Sequence, residues 1–270
     1  MLAGPAVVVD PFGHEGQARC YAAFRPDYPS ALLRSIWDRH TGAKALGVDA
    51  CCGTGKLTVA LAAHFDKVLG VDRSSEQLRH ADRSAANIEY VEADSTKLAG
   101  IEDGVVDLVA IAQALHWMDV HDFCSATKRV LRPGGSLAVL GYGVCSLAAG
   151  GAAEAAFKVY YHETLGAHLP LGDPGNLWDC DRRLLDSGFA DVEFPFAKVQ
   201  RKWHFETRRL PLEDFLGYLR TWSAYRKFIA ERTDAEDPLE ALRAQLVAGG
   251  AAESGVDVTF PYFLILARDD

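Results

Sequence analysis

Asp49, Asp72 and Asp94 each close a short apolar run, in Lys44–Asp49, Val68–Asp72 and Ile88–Asp94. A carboxylate at such a place can accept hydrogen bonds or meet a cation. One lying roughly twenty residues beyond a glycine turn can take both hydroxyls of a ribose. The first acid is followed by Ala50-Cys51-Cys52-Gly53-Thr54-Gly55-Lys56. Gly53 and Gly55 carry no Cβ, so the backbone there can approach a ligand closely. Asp94-Ser95 offers acceptors suited to an adenine amino group, and Gln113-Ala114-Leu115-His116-Trp117 adds an amide, an imidazole and a large ring. The chemistry these types favour is the holding of a nucleoside-like ligand, with His116 as the one candidate for moving a proton.

Three readings of the glycine turn compete. A phosphate-binding P-loop needs Gly, four residues, then Gly-Lys-Ser/Thr. Ala50 and Leu57 break that pattern. A dinucleotide fingerprint needs a third glycine three residues after the second, where this chain has Thr58. An ordinary strand-to-helix turn explains small residues without any ligand.

The downstream order decides between them. Asp49-x-Cys51-Cys52-Gly53-Thr54-Gly55, Gly70-Val71-Asp72, Ala93-Asp94, Gln113-Ala114-x-His116-Trp117 and Leu131-Arg132-Pro133-Gly134-Gly135 follow one another in the chain. As a set they resemble the core of class I S-adenosylmethionine-dependent methyltransferases across residues 44–143. Cys51 stands where that pattern has its first glycine, and it lacks glycine's freedom at positive φ. Phe24-Arg25-Pro26-Asp27-Tyr28-Pro29 and Thr221-Trp222-Ser223-Ala224-Tyr225 are similar to the trans-aconitate methyltransferase-like branch. This likeness covers most of the chain and loosens after residue 145.

The resemblance implies S-adenosyl-L-methionine as cofactor, held by Tyr21, Arg25, Asp49, Cys51, Gly53, Thr54, Gly55, Asp72, Arg73, Gln77, Asp94, Ser95 and Gln113. Arg25 is the expected partner of the cofactor's amino-acid carboxylate, with Tyr21 and Tyr28 as walls. Tyr28, Trp117, Tyr142, Trp178, Trp222 and Tyr225 are expected near the methyl acceptor. His116 is the expected catalytic residue, needed as a base for a phenol or an amine and not for a carboxylate. The acceptor is expected to be a small organic molecule methylated at a carboxylate oxygen. Methylation of a small metabolite at carbon or nitrogen, a nicotinamide-dependent oxidoreductase and a non-catalytic cofactor binder are the alternatives.

These residues need an α/β scaffold: a Rossmann-like, seven-stranded mixed sheet with helices on both faces and a helical cap. Residues 1–40 are read as N-terminal helices and a cofactor-covering segment, 41–145 as the cofactor-binding core, 146–250 as cap and sixth strand, and 251–270 as the closing edge strand. Within the first part, 1–11 are read as a loose leader and 14–23 as a helix. Pro26 and Pro29 make 24–29 extended, able to lie across the pocket mouth. Helices are expected over 30–40 with Ser30 as cap, from 56 to 65, from Ser74 as cap, and over 123–131, 148–165 and 177–187. Two more are expected from Pro211 and over 238–247. Alternating Val192, Phe194 and Phe196 point to a strand over 189–200, which the resemblance pairs with 256–267 as an antiparallel hairpin at the sheet edge.

Composition narrows the partners. With 28 Lys and Arg against 37 Asp and Glu, the net charge is −9, a field that repels nucleic acid. The short basic pairs Arg201-Lys202 and Arg208-Arg209 read as solvated surface. Six scattered cysteines show no CxxC and no metal-ligand spacing, so no metal site is expected, and reduced thiols in a cytoplasm are the simplest setting. No apolar run reaches the roughly eighteen residues that a membrane helix needs.

Overall fold

The computed structural model describes residues 24–148, 150–232, 234–251 and 255–269. Tyr21, Cys20, the leader and the helix expected over 14–23 lie outside the described residues. Strands β1 (Leu46–Ala50), β2 (Lys67–Asp72), β3 (Ile88–Glu92), β4 (Val106–Ala112) and β5 (Leu131–Tyr142) form a parallel sheet in the order β3-β2-β1-β4-β5. β1 and β4 are almost wholly buried, as apolar strands covered on both faces must be. The order reverses between β1 and β4, and open α/β sheets keep their ligands beyond the carboxyl ends at that switch point.

One strand of the sheet, the last, runs the other way. β8 (Val256–Arg268) pairs antiparallel with β5 and, through Val258 and Thr259, with the two-residue β6 (Ser146–Leu147). Its other side carries β7 (Lys198–Leu210), in register from Lys198↔Arg268 to Leu210↔Val256. The sheet thus has the expected seven long strands and one short addition. The sixth strand is not residues 189–200. Phe189 and Phe194 lie in irregular chain and are buried with Phe123 and Val130, and the charged run 198–210 forms the edge.

Helices cover both faces. On one, Leu32 and Ile36 of α1 (Ser30–Trp37) and Leu57 and Leu61 of α2 (Lys56–Ala62) share a core with the cap. On the other, Phe123 and Val130 of α4 (Val120–Val130) pack with Leu185 of α6 (Arg182–Asp186). α3 (Ser75–Arg79) starts as read, Ser74 Oγ accepting from the Gln77 amide at 3.3 Å. Pro29, not Ser30, holds the cap position of α1 and makes no side-chain bond. α4 begins before Phe123 because Asp119 Oδ1 accepts from the Asp122 amide at 2.8 Å. α6 is shorter than expected: Asp181 caps it, while Asn176 Oδ1 holds the Trp178 amide in irregular chain.

The cap is built from α5 (Gly151–Val159), which widens into a π-helical turn at Tyr160–Thr164, with α7 (Leu212–Arg220), α8 (Ser223–Glu231) and α9 (Pro238–Ala248). Pro211 caps α7 instead of entering its first turn. Trp222 occupies the cap position of α8, a helix for which the sequence reading set no expectation.

Candidate active site

The turn after β1 takes left-handed backbone at Cys51 (φ +56°), Gly53 (φ +56°) and Gly55 (φ +85°). A non-glycine residue there carries a strain of about 1–2 kcal/mol. Cys51 is held in it by its own N–H, which donates to Ser95 Oγ at 3.1 Å, while the Ser95 hydroxyl donates to the Val71 carbonyl at 2.9 Å. Ser95 therefore braces the turn from the third strand's tip. A Cβ at Gly53 would meet nothing closer than Gln77 Oε1 at 3.8 Å, so this backbone faces open space. At Gly55 a Cβ would collide with the Tyr90 hydroxyl, which makes that glycine a packing requirement and explains why it does not line the pocket.

The three acids differ in their commitments. Asp49 is 1% exposed; its Oδ2 accepts from the Thr58 hydroxyl at 2.6 Å, and its Oδ1 has no hydrogen-bond partner among the described residues. Burial lifts its pKa to about 7; Thr58 opposes the shift and the nearby Asp72 charge adds to it. Asp72 accepts from the Gly53 amide at 2.8 Å on Oδ2 and from the Ser74 amide at 2.9 Å on Oδ1. Each oxygen keeps a second lone pair. Asp94 Oδ1 accepts from the Thr96 hydroxyl and amide, bonds that hold its carboxyl below the usual range, and its other oxygen makes no described bond.

One pocket gathers most of the expected residues. Its walls are Arg25 and Tyr28 from the extended segment, Asp49, Cys51, Gly53 and Thr54 from the turn, and Asp72, Arg73 and Gln77 from the second strand's tip. Asp94, Ser95, Gln113, Trp117 and Tyr142 complete it. Lys56 and Met118, which sequence reasoning missed, also line it. Lys56 was weighed only as a P-loop remnant; its Nζ reaches Asp27 Oδ1 at 2.8 Å and the Arg25 carbonyl at 3.2 Å, tying the extended segment down.

Four expected acceptor or catalytic residues lie elsewhere. Trp178 and Trp222, 4% and 3% exposed, pack at a tilt in the cap's core with ring centroids 5.3 Å apart. Burying that much aromatic area stabilises the cap and leaves neither ring to face the pocket. The Tyr225 hydroxyl donates to Asp237 Oδ2 at 2.9 Å, and the residue does not line the pocket. His116 sits beside Trp117, ring centroids 5.0 Å apart, but does not line the pocket. Burial, then the Arg182 and Arg25 guanidiniums, push its pKa down to about 3. Its Nδ1 is buried without a described partner. So low a basicity argues against His116 as a proton acceptor near neutrality.

A sheet whose order reverses beside acid-tipped strands, with a glycine turn opening on the crevice, defines a Rossmann-like protein built to bind a nucleoside. Residues 48–139 match the methyltransferase domain family. The chain is 31% identical over 271 residues to a protein of Dictyostelium discoideum named as a methyltransferase, covering 98% of this chain and 97% of that one. A 124-residue stretch is 32% identical to a Saccharomyces cerevisiae protein named as an S-adenosylmethionine-dependent methyltransferase, covering 44% of this chain and 43% of that one. The solved structure of a type II methyltransferase from Anaeromyxobacter dehalogenans is similar with a TM-score of 0.76 at 32% identity, over 91% of this chain and 98% of that one. The chain belongs to the class I S-adenosylmethionine-dependent methyltransferases, and its cofactor is S-adenosyl-L-methionine. The pocket suits that group: an unpartnered buried carboxylate oxygen at Asp49 meets the need of a cationic ligand, and the space before Gly53 leaves its backbone approachable. Among the described residues no helix is long and apolar enough to cross a membrane.

Proposed function

We propose that this methyltransferase acts on a small organic acid, at a carboxylate oxygen. The observation that carries the reading is the state of His116. Buried, and beside the charges of Arg182 and Arg25, it is pushed down to about 3, so His116 is not a base matched to a phenol or an ammonium. A carboxylate arrives already deprotonated and needs none. The trans-aconitate methyltransferase-like resemblance of residues 24–29 and 221–225 supports the same class.

In this reading Asp72 takes the ribose hydroxyls through its remaining lone pairs, and Asp94 takes the adenine amino group. Asp49 faces the cofactor's positive end, and Arg25 its carboxylate. S-adenosyl-L-methionine supplies a methyl group on a sulfonium that is already electrophilic. The protein's own task is to hold the acceptor oxygen in line, within about 3–3.5 Å of the methyl carbon, and to keep water out. Tyr28, Trp117, Met118 and Tyr142 form the apolar wall that does this.

The test is a panel of small carboxylic acids, phenols and amines, followed by release of S-adenosylhomocysteine. Turnover with carboxylates and mass gain as the methyl ester are expected. Turnover confined to phenols or amines would overturn the reading.

A further inference from the structure

Gln113 does not use its amide on the pocket. Its Oε1 accepts from the Tyr142 amide at 3.0 Å, and its Nε2 donates to the Tyr142 carbonyl at 3.2 Å. The residue is left-handed, φ +54°, while its own N–H donates to the Leu140 carbonyl at 2.9 Å. Such backbone in a long polar residue persists only where surroundings enforce it, and it gathers at functional sites. Here it turns the amide sideways from β4 onto the end of β5. Gly141 makes room, since a Cβ there would lie 2.9 Å from Gln113 Oε1. Tyr142 is thereby fixed at both its N–H and its C=O.

Its ring then carries that order outward. Arg25 Nη1 donates to the Tyr142 hydroxyl at 3.2 Å. Arg25 Nε donates to Thr221 Oγ1 at 2.8 Å, and Nη2 donates to the Thr221 carbonyl at 3.2 Å. Thr221 is the residue that ends α7, so its carbonyl sits at a helix C-terminus, where a cation is favoured. Four residues from the fourth strand's tip, the fifth strand, the covering segment and the cap are joined in one chain of bonds.

We propose that Gln113 and Tyr142 are positioning residues that fix the Arg25 guanidinium against the carboxylate end of the cofactor. This role adds to the one proposed for the Tyr142 ring at the acceptor and differs from the direct cofactor contact expected of Gln113. The inference rests on the reading of Arg25 as the carboxylate's partner.

The test is calorimetry with two probes on the full chain. S-adenosylhomocysteine carries the amino-acid carboxylate; 5′-methylthioadenosine lacks it. Tyr142→Phe removes one hydroxyl, and Gln113→Met keeps the length while removing both amide bonds. Each is expected to weaken S-adenosylhomocysteine about tenfold and to leave methylthioadenosine within about twofold, as the loss of order in one charge-assisted contact requires. The double variant is expected to be no weaker than the worse single one, because both act on one contact. Equal loss for both probes would mean general damage to the pocket and would overturn the proposal. Arg25→Ala separates the two layers. If it weakens S-adenosylhomocysteine while Tyr142→Phe does not, the relay fails and the Arg25 reading stands. If Arg25→Ala changes nothing, the Arg25 reading fails and the relay with it. Should Gln113→Met not fold, Tyr142→Phe decides.

Discussion

Lys56 Nζ and Asp27 Oδ1 lie 2.8 Å apart, joining the first residue of α2 to the segment whose Arg25 and Tyr28 line the pocket. Arg208 Nη2 and the Tyr262 hydroxyl both donate to the Asp27 carbonyl, so three elements grip one residue. The Lys56 and Asp27 side chains are 32% and 77% exposed, so the pair adds less than about 1 kcal/mol to stability. Its effect should show in rates. Lys56→Met is expected to leave the melting temperature within about 2 °C while speeding release of S-adenosylhomocysteine severalfold in stopped-flow. Unchanged release would mean that the segment does not gate exit.

Asp49 gives a pH dependence. Burial keeps its carboxyl protonated up to about 7, against 3.8 for an ordinary aspartate. Between those values the native chain holds a proton that the unfolded chain has lost. This contribution to stability is therefore present at low pH and is lost as pH rises through about 7. Asp49→Asn keeps an acceptor for Thr58 and removes the slope. Its melting temperature should gain on wild type between about pH 5 and pH 8. Over the same window wild-type affinity for S-adenosylmethionine should rise as the carboxylate forms, and the variant's should stay flat. A flat wild-type profile would remove Asp49 from the cofactor's positive end.

Cys51 tests the cost of left-handed backbone. Cys51→Gly relieves strain of about 1–2 kcal/mol, offset by about 0.5–1 kcal/mol of chain entropy. Stability equal to or slightly above wild type is expected in urea titration, with cofactor affinity unchanged. Burial, with the Asp72 charge beside it, pushes the Cys51 thiol up to about 12, so iodoacetamide near neutral pH should modify it slowly in the folded chain. Rapid alkylation would contradict that environment.

His116 supplies a kinetic prediction. With a pKa of about 3 it contributes no titration between pH 6 and pH 8, so methylation of a carboxylate should show no limb from it there. His116→Gln is expected to keep kcat within about tenfold, whereas loss of a true general base costs roughly 10²–10⁴-fold. A collapse of that size, with folding intact, would restore the base.

How much of this was readable in the chain differs by element. Apolar runs marked β1 and β4 most plainly, because burial on both faces leaves a local, continuous signal, whereas the half-exposed β3 was marked by the acid that follows it. Ser74 over Gln77 was equally local. β7 was misplaced because an edge strand answers to solvent and a partner strand, so its charged run 198–210 hides the period that Val192, Phe194 and Phe196 imitate. Trp178 and Trp222 show a second limit: an aromatic in a cap core and one on a pocket wall look alike in sequence. The Gln113 amide meets Tyr142 across 29 positions, a pairing that only the fold brings about.

β7 has a further consequence. Among the described residues no further strand pairs with its outer rim, the kind of surface on which chains stack into fibres. Five of the strand's residues are lysine or arginine and one is glutamate, so two such rims brought together would repel. The charges that concealed the strand from sequence reading are thus also its protection from clumping.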